Sequence, residues 1–315
     1  MDLLEISKNN SKNNSKKNAP FYIKMLSLFS VVRGYNILLI VIAQYLASIF
    51  IFAPEKSLKN IILDIDLYFI VLASVCVIAA GYIINNFYDF ETDKINKPLK
   101  TKFDAIVDQK IKLPIYFVLN FLGFIFGLLV SWRAALFFSV YIFSIWLYSH
   151  KLKRYPLMGL FSAAVLSLLP FFAVFVYYKN FSEIIFTHAA FLFFILLIRQ
   201  LVKDLESLKG DFVKNYQTIA VKYGEHFTKI LISFLVILTL NPIYFLLKYP
   251  EIGRMKYYFY GSVLTLIVFL FLLWFSKSKR NYVLLHWLLK LLIFAGVFSL
   301  ALIDTSVLIE RILPI

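Results

Sequence analysis

The sequence predicts an all-α polytopic membrane protein with nine transmembrane helices. Of its 315 residues, 61% are hydrophobic and only 16% are charged, and the mean hydropathy is +0.79. A globule of this size cannot bury so much apolar surface, so lipid must solvate much of it. Because a bilayer core offers no partners to backbone polar groups, long apolar runs there must be helices rather than strands.

Nine apolar stretches of the length that a bilayer requires follow a polar N-terminal segment. They are residues 33–52, 67–85, 113–130, 133–149, 157–178, 186–202, 227–247, 257–275 and 284–303. Residues 1–20 contain a low-complexity run of Lys, Asn and Ser that cannot form a core, so we interpret them as a disordered basic tail. Residues 21–315 are then a single transmembrane domain.

The distribution of basic residues predicts the orientation. If the N-terminus is cytoplasmic, 24 of the 33 Lys and Arg residues fall in cytoplasmic segments and eight in outer segments. This bias follows the positive-inside rule, and it explains much of the net charge of +15 without a nucleic-acid partner. We therefore expect a multi-pass protein of the cytoplasmic (inner) membrane. The single cysteine, Cys76, excludes an intrachain disulfide and a cysteine-based metal site.

Two predicted cytoplasmic segments, residues 86–112 and 203–226, are longer than a connection needs, so we expect functional loops there. At the start of the first, Asn85, Asp89 and Asp93 are spaced so that their oxygens share one face of a helix. Oxygen ligands without His or Cys suit Mg²⁺, which binds carboxylates together with substrate phosphates. Pro98 disfavours continuation of this helix beyond the preceding residue.

A similar acidic segment follows the sixth apolar stretch. Asp204, Ser207 and Asp211 share one helical face if the helix continues, and Arg199 and Lys203 add positive charge one turn apart. Both acidic segments lie on the predicted cytoplasmic side, four stretches apart. This arrangement suggests two related halves around a central cavity that opens to the cytoplasm.

At these residues the sequence resembles the UbiA-type intramembrane prenyltransferases. Asn85-Asn86-x-x-Asp89-x-x-x-Asp93, followed by Asn96-Lys97-Pro98, is similar to their first aspartate-rich motif. Lys203-Asp204-Leu205-Glu206-x-x-x-Gly210-Asp211, followed by Thr218 and Gly224, is similar to their second. Weaker matches are Arg33-x-x-Asn36 and Tyr148-Ser149-x-x-Leu152-Lys153. The chain departs from the family at Asn86, where Asp is frequent, and at Ser207, where Asp is usual.

The resemblance implies transfer of a prenyl group from an isoprenyl diphosphate to a lipophilic acceptor, with Mg²⁺ as cofactor and diphosphate as product. The residues that it implies for one Mg²⁺ are Asn85, Asp89 and Asp93, and those for another are Asp204 and Asp211. The implied contacts to the diphosphate are Arg33, Asn36, Lys97, Lys153, Arg199 and Lys203. Tyr88 and Tyr148 are candidates for cation–π stabilisation of the allylic carbocation, which makes Tyr148 a catalytic candidate beside the aspartates.

The acceptor stays open between a geranylgeranylglyceryl phosphate or chlorophyllide type, which the second motif resembles most, and an aromatic quinone precursor. A cation-coupled transporter would place its carboxylates near mid-membrane, whereas here they lie at cytoplasmic helix ends. A CDP-alcohol phosphotransferase would show Asp-Gly and Ala-Arg elements, which both motifs lack. A non-catalytic family member is a further alternative, because Ser207 removes one carboxylate. Lys290 lies inside the last stretch, and the four His residues show no metal-ligand spacing.

The orientation can be tested by labelling. Cysteines introduced at Ser11 and at Ser306, in a Cys76→Ala background, should show opposite accessibility to a membrane-impermeant maleimide in intact cells. The Ser306 position should react, and the Ser11 position should react only after the membrane is opened. Reaction of both positions from the same side would contradict nine spans.

Overall fold

The computed structural model describes residues 20–304. Apart from Pro20, the predicted basic tail lies outside the described residues, as do the last eleven residues of the predicted transmembrane domain. The described helices, in chain order, are α1 (Phe21–Val31), α2 (Gly34–Ala47), α3 (Leu58–Ile62), α4 (Ile65–Asn96), α5 (Pro98–Asp104), α6 (Gln109–Val130), α7 (Trp132–His150), α8 (Pro156–Tyr178), α9 (Glu183–Val213), α10 (Ile219–Lys248), α11 (Lys256–Phe275) and α12 (Lys279–Ser299). A π-helical turn, Ser48–Phe52, extends α2.

Nine helices within residues 20–304 are long and apolar enough to cross a membrane. They are α2, α4 and α6 to α12, and each overlaps one of the predicted apolar stretches. Large apolar side chains are exposed along most of them, including Phe121, Phe143 and Phe271. Exposing this many aromatic rings to water is unfavourable, so the outer surface of the bundle is a lipid-facing surface. The all-α polytopic fold class is confirmed.

The helices α4 and α9 are much longer than a span requires. They have 32 and 31 residues, so each is roughly 46–48 Å long against a hydrocarbon core of about 30 Å. The expectation of long loops after these spans is therefore wrong for their first parts: residues 86–96 and 203–213 continue the helices. Helix α4 ends where Lys97 adopts an extended conformation before Pro98, as predicted.

The packing brings the two long helices together. Helix α4 packs against α6 and α7, α9 packs against α10 and α12, and α4 and α9 contact each other directly. Helix α12 also contacts α2, which closes the bundle on the other side of α9. Most buried apolar side chains belong to a single cluster that includes residues of α4, α9 and α12.

The C-terminal ends of α4 and α9 are joined by the side chain of Asn96. Its Nδ2 donates to the Ser207 carbonyl (3.1 Å), and its Oδ1 accepts from the Gly210 N–H (3.2 Å). A Cβ atom at position 210 would lie 2.4 Å from Asn96 Nδ2, so only glycine permits this approach. Lys279 of α12 donates to the Asn96 carbonyl as well. One residue therefore holds the ends of three helices in register.

A second glycine, Gly224, is required for its backbone conformation rather than for close packing. Thr218 begins α10 by accepting a hydrogen bond from the Val221 N–H. Six residues later Gly224 interrupts the helix with a φ of 84°, in the region that L-residues rarely adopt. The turn after the second motif therefore requires glycine there.

We predict that Gly210→Ala lowers the free energy of unfolding by about 1–3 kcal/mol, because the new methyl group overlaps the Asn96 amide. Gly261→Ala is the matched control, since a Cβ there meets nothing within 4 Å. Thermal unfolding of the purified proteins in detergent measures both.

Asn96→Ala removes the overlap, so the double variant should be more stable than the sum of the two single effects predicts. Equal losses for Gly210→Ala and Gly261→Ala, or strict additivity with Asn96→Ala, would contradict this contact.

Candidate active site

The first acidic row lies on one face of α4, as the spacing predicts. Asn85, Asp89 and Asp93 follow each other at intervals of one turn on a helix that is continuous to Asn96. Tyr82 lies on the same face, one turn nearer the membrane centre, and sequence reasoning did not single it out. The row is only partly accessible, with the Asp89 side chain 18% exposed.

Lys153 is bound directly to this row. It lies in the short turn Leu152–Arg154 between α7 and α8, and its side chain is only 7% exposed. Its Nζ is 2.5 Å from Asp89 Oδ1 and 3.4 Å from Asn85 Oδ1. The structure thus brings this predicted diphosphate contact to two of the predicted metal ligands.

Tyr216, which sequence reasoning missed, covers the same lysine. It lies in the turn after α9, where its N–H donates to the Asp211 carbonyl (2.9 Å) and its ring is 5.9 Å from Lys153 Nζ. Burial, together with the charge of Asp89, raises the pKa of the Tyr216 hydroxyl. The hydroxyl therefore stays protonated and can act as a donor beside the carboxylates.

The second acidic row lies on α9, which continues to Val213. Asp204 and Asp211 are both buried, and Asp204 accepts a hydrogen bond from Gln200 (2.9 Å). The Ser207 hydroxyl donates to the Lys203 carbonyl of its own helix (2.6 Å). Ser207, where the family usually has Asp, is therefore hydrogen-bonded to its own helix. The second row has only two carboxylates, those of Asp204 and Asp211.

Glu206, the other acidic residue of this segment, belongs to a separate contact. Its Oε2 is 2.8 Å from Nδ1 of His286 on α12, and both side chains are largely buried. His286 is therefore paired with a carboxylate of another helix. No local spacing in the sequence indicates this pair, because the two residues are 80 positions apart in the chain.

Tyr148 lies near both rows. The charges of Asp204, Asp89 and Asp211 all act on its hydroxyl group, which places it within electrostatic range of both motifs. Tyr88 is instead engaged at the rim, where its hydroxyl is 3.0 Å from Nδ1 of His150. Of the two predicted aromatic groups, Tyr148 is thus the more central.

The Arg33 and Asn36 pair contacts Tyr82 rather than the acidic rows. The Arg33 guanidinium lies 5.0 Å from the centre of the Tyr82 ring, and Asn36 Nδ2 donates to the Tyr82 hydroxyl (3.2 Å). Arg33 has a φ of 52°, an uncommon left-handed conformation for a residue with a Cβ atom. Such conformations cluster at functional sites, where the surrounding structure enforces them.

Asn86, the other departure from the family pattern, is part of a buried polar network behind the first row. Its Oδ1 accepts from Lys112 Nζ (3.1 Å), and Lys112 also donates to the Asp104 carbonyl (2.7 Å). Ser30 of α1 donates to Asp104 Oδ1 (2.7 Å). This network, which no spacing in the sequence indicated, fixes α1 and α5 against the helix that carries the acidic row.

Positive charge is concentrated where the two rows meet. Burial, reinforced by the charges of Lys203 and Arg33, lowers the pKa of Lys97, while Asp93 and Glu206 oppose the shift. Two cations and two carboxylates therefore act on Lys97, and burial is the main cause of its lowered pKa, so an added anion would favour its charged form. Arg199 lies deeper on α9, near Arg33 and Tyr82.

The residues fit Mg²⁺ bound jointly with a phosphorylated substrate. Within residues 20–304, no three His, Cys, Asp or Glu side chains are grouped closely enough to hold a metal ion by themselves. The first row instead offers carboxylate and amide oxygens on α4, and the second row offers two carboxylates on α9. Mg²⁺ is commonly bound by one or two carboxylates plus substrate phosphates and water. The donor set therefore matches a cation that arrives with a diphosphate.

Comparison with known proteins agrees with these features. The model of the UbiA prenyltransferase family matches residues 45–292. The digeranylgeranylglyceryl phosphate synthase of Sulfurisphaera tokodaii is 28% identical over 274 residues, which are 85% of this chain and 96% of that protein. The synthase of Sulfolobus acidocaldarius is 33% identical over 57% of this chain and 67% of its own length.

Solved structures share the fold. A structure of a digeranylgeranylglyceryl phosphate synthase superposes with a TM-score of 0.65 at 21% identity, covering 89% of this chain and 97% of that one. A UbiA homologue from Archaeoglobus fulgidus bound to GPP and Mg²⁺ superposes with a TM-score of 0.63 at 14% identity, covering 87% and 99%. With the family match spanning most of the nine helices and both acidic rows, the chain belongs to the UbiA prenyltransferase family.

Proposed function

We propose that this protein transfers an isoprenyl group from an isoprenyl diphosphate to the hydroxyl of a glyceryl phosphate lipid, with Mg²⁺ as cofactor. The observation that carries the proposal is the pair of acidic rows on α4 and α9, joined at Asn96 and flanked by Lys97, Lys153 and Lys203. Carboxylates alternating with lysines at the membrane surface suit a metal–diphosphate headgroup, while the isoprenyl chain lies among apolar helices.

The reaction places specific demands on these residues. The allylic C–O bond breaks with its electron pair on the departing diphosphate, the acceptor oxygen bonds to the allylic carbon, and the hydroxyl proton is released. Mg²⁺, when bound, neutralises negative charge on the leaving group. Lys97, Lys153 and Lys203 would contact the diphosphate oxygens, and fixed cations of this kind stabilise the charge that develops as the bond breaks.

Tyr148 would contribute at the other end of the breaking bond. Its proximity to both rows would put the ring near the allylic carbon on which positive charge develops, and an aromatic face stabilises a cation. The surrounding helices exclude water, which would otherwise capture the carbocation.

The named relatives support a glyceryl phosphate acceptor over an aromatic quinone precursor. Neither acidic row lies near mid-membrane, and each has lysines beside it, which disfavours cation-coupled transport. From the charge distribution we further propose that the N-terminus and both rows face the cytoplasm and that the protein resides in the cytoplasmic membrane.

We predict that Asp93→Asn reduces prenyl transfer by about 10²–10³-fold, equivalent to roughly 3–4 kcal/mol of lost transition-state stabilisation. The amide keeps the shape but removes the charge. Initial rates with labelled geranylgeranyl diphosphate and geranylgeranylglyceryl phosphate measure the loss. Glu91→Gln is the matched control, because Glu91 lies on the same helix but is 56% exposed and pairs only with Lys94 at the surface.

Asp89→Asn should lose activity similarly and also lose stability, because it leaves the buried Lys153 without its carboxylate. A folded Asp93→Asn protein with near-normal rates would contradict the assigned role. An equal loss in Glu91→Gln would show that the effect is not specific to the row.

A further inference from the structure

A second group of cations lies deeper in the bundle than the lysines that flank the acidic rows. It consists of Arg33, before α2, Arg199 on α9 and Lys290 on α12, and we call it the inner basic cluster. Arg199 is two helical turns further into the membrane than Glu206, and Lys290 is one turn further than His286. Because α12 packs against both α9 and α2, these positions lie around one junction.

The field at this junction is positive. The four charged groups that act most strongly on Lys290 are Arg199, Arg33, Glu206 and Lys97, three cations and one carboxylate. That carboxylate is already engaged by His286 at 2.8 Å. Arg33 also acts on Arg199 as a like charge. The cluster therefore has more positive charge than its neighbours neutralise.

Aromatic rings offset only part of this charge. Lys290 Nζ lies 4.7 Å from the Trp287 ring centre and 6.0 Å from that of Tyr35, contacts that contribute about 0.5–2 kcal/mol each. Burying several cations together in a membrane bundle costs more than this, so such groups usually face a functional anion. In addition, His286 Nε2 is buried without a hydrogen-bond partner in the described part of the chain.

We propose that Lys290 and Arg199 bind the phosphate monoester of the lipid acceptor, in a subsite distinct from the diphosphate site at the acidic rows. This inference rests on the proposed function and assigns residues to its acceptor. Arg199, for which the family resemblance implies a contact to the diphosphate, is assigned here to the phosphate of the acceptor instead. The assignment of Lys97, Lys153 and Lys203 to the diphosphate is unchanged.

The chemistry of the acceptor agrees with this placement. A glyceryl phosphate that already carries one prenyl ether has a single hydroxyl left, a few bonds from its phosphate. The phosphate must therefore be held close to the carbon that is attacked, in a site next to the diphosphate. Lys97 acts on Lys290 as well as on Asp93, so the inner basic cluster adjoins the acidic rows.

Binding to the full-length protein in detergent tests the subsite without turnover. The probes are geranylgeranylglyceryl phosphate and its alcohol, geranylgeranylglycerol, measured with neither Mg²⁺ nor donor present. The wild type should bind the phosphate at least about tenfold more tightly than the alcohol, as expected for charge-assisted contacts. Lys290→Met and Arg199→Gln should each remove most of this preference, and Lys290→Arg should restore it.

Two controls separate a local effect from misfolding. Arg280→Gln, an exposed cation on the same helix, should keep the full preference. Lys290→Met should bind geranylgeranyl diphosphate with Mg²⁺ as the wild type does, which shows that the variant is folded and that the donor site is separate.

Equal binding of phosphate and alcohol by the wild type would overturn the subsite. So would an unchanged preference in both variants, or a parallel loss of donor binding. If the wild type prefers the phosphate through Lys290 but transfers no prenyl group, the subsite stands and the proposed function fails.

Discussion

The Asn96 amide binds the backbone of α9 at Ser207 and Gly210, and the site depends on this contact. The two helices that carry the carboxylates extend beyond the hydrocarbon core, where apolar burial no longer holds them together. The amide supplies a bidentate contact at that level, and Gly210 provides the space. Without it, the acidic rows would belong to two independent helix ends. With it, the ends of the two helices that carry the rows are held together, as a shared site for a metal–diphosphate unit would require.

The balance of charge in this site changes with depth in the bundle. Near the C-terminal ends of α4 and α9, carboxylates lie close to Lys97, Lys153 and Lys203, so a metal and a diphosphate would each meet groups of opposite charge. Deeper, the inner basic cluster has too little negative charge of its own. The only carboxylate acting strongly there, Glu206, is committed to His286. The two levels therefore suit two substrates that carry anionic headgroups of different kinds.

Sequence patterns predicted what depends on composition and local spacing. The nine spans follow from hydropathy, and the shared face of Asn85, Asp89 and Asp93 follows from helical geometry. The polar continuation of α4 to Asn96 follows from the spacing of its acidic row and from Pro98, whereas hydropathy detects only the part of a helix that lies in lipid and left the continuation of α9 conditional. Contacts such as Asn86 with Lys112, or Glu206 with His286, join residues from separate helices. Because helical periodicity relates only residues of the same helix, these contacts could be identified only from the packed structure.

The central claim is that both acidic rows bind one metal–diphosphate unit. The most direct measurement is the thermal unfolding of the purified protein with geranylgeranyl diphosphate and Mg²⁺, added separately and together. Ligand binding to the folded state stabilises it by about 2.7 kcal/mol at 100 times the dissociation constant. The account predicts a rise in Tm with both ligands that clearly exceeds the sum of the separate shifts. A Tm that responds to the diphosphate equally with and without Mg²⁺ would contradict it.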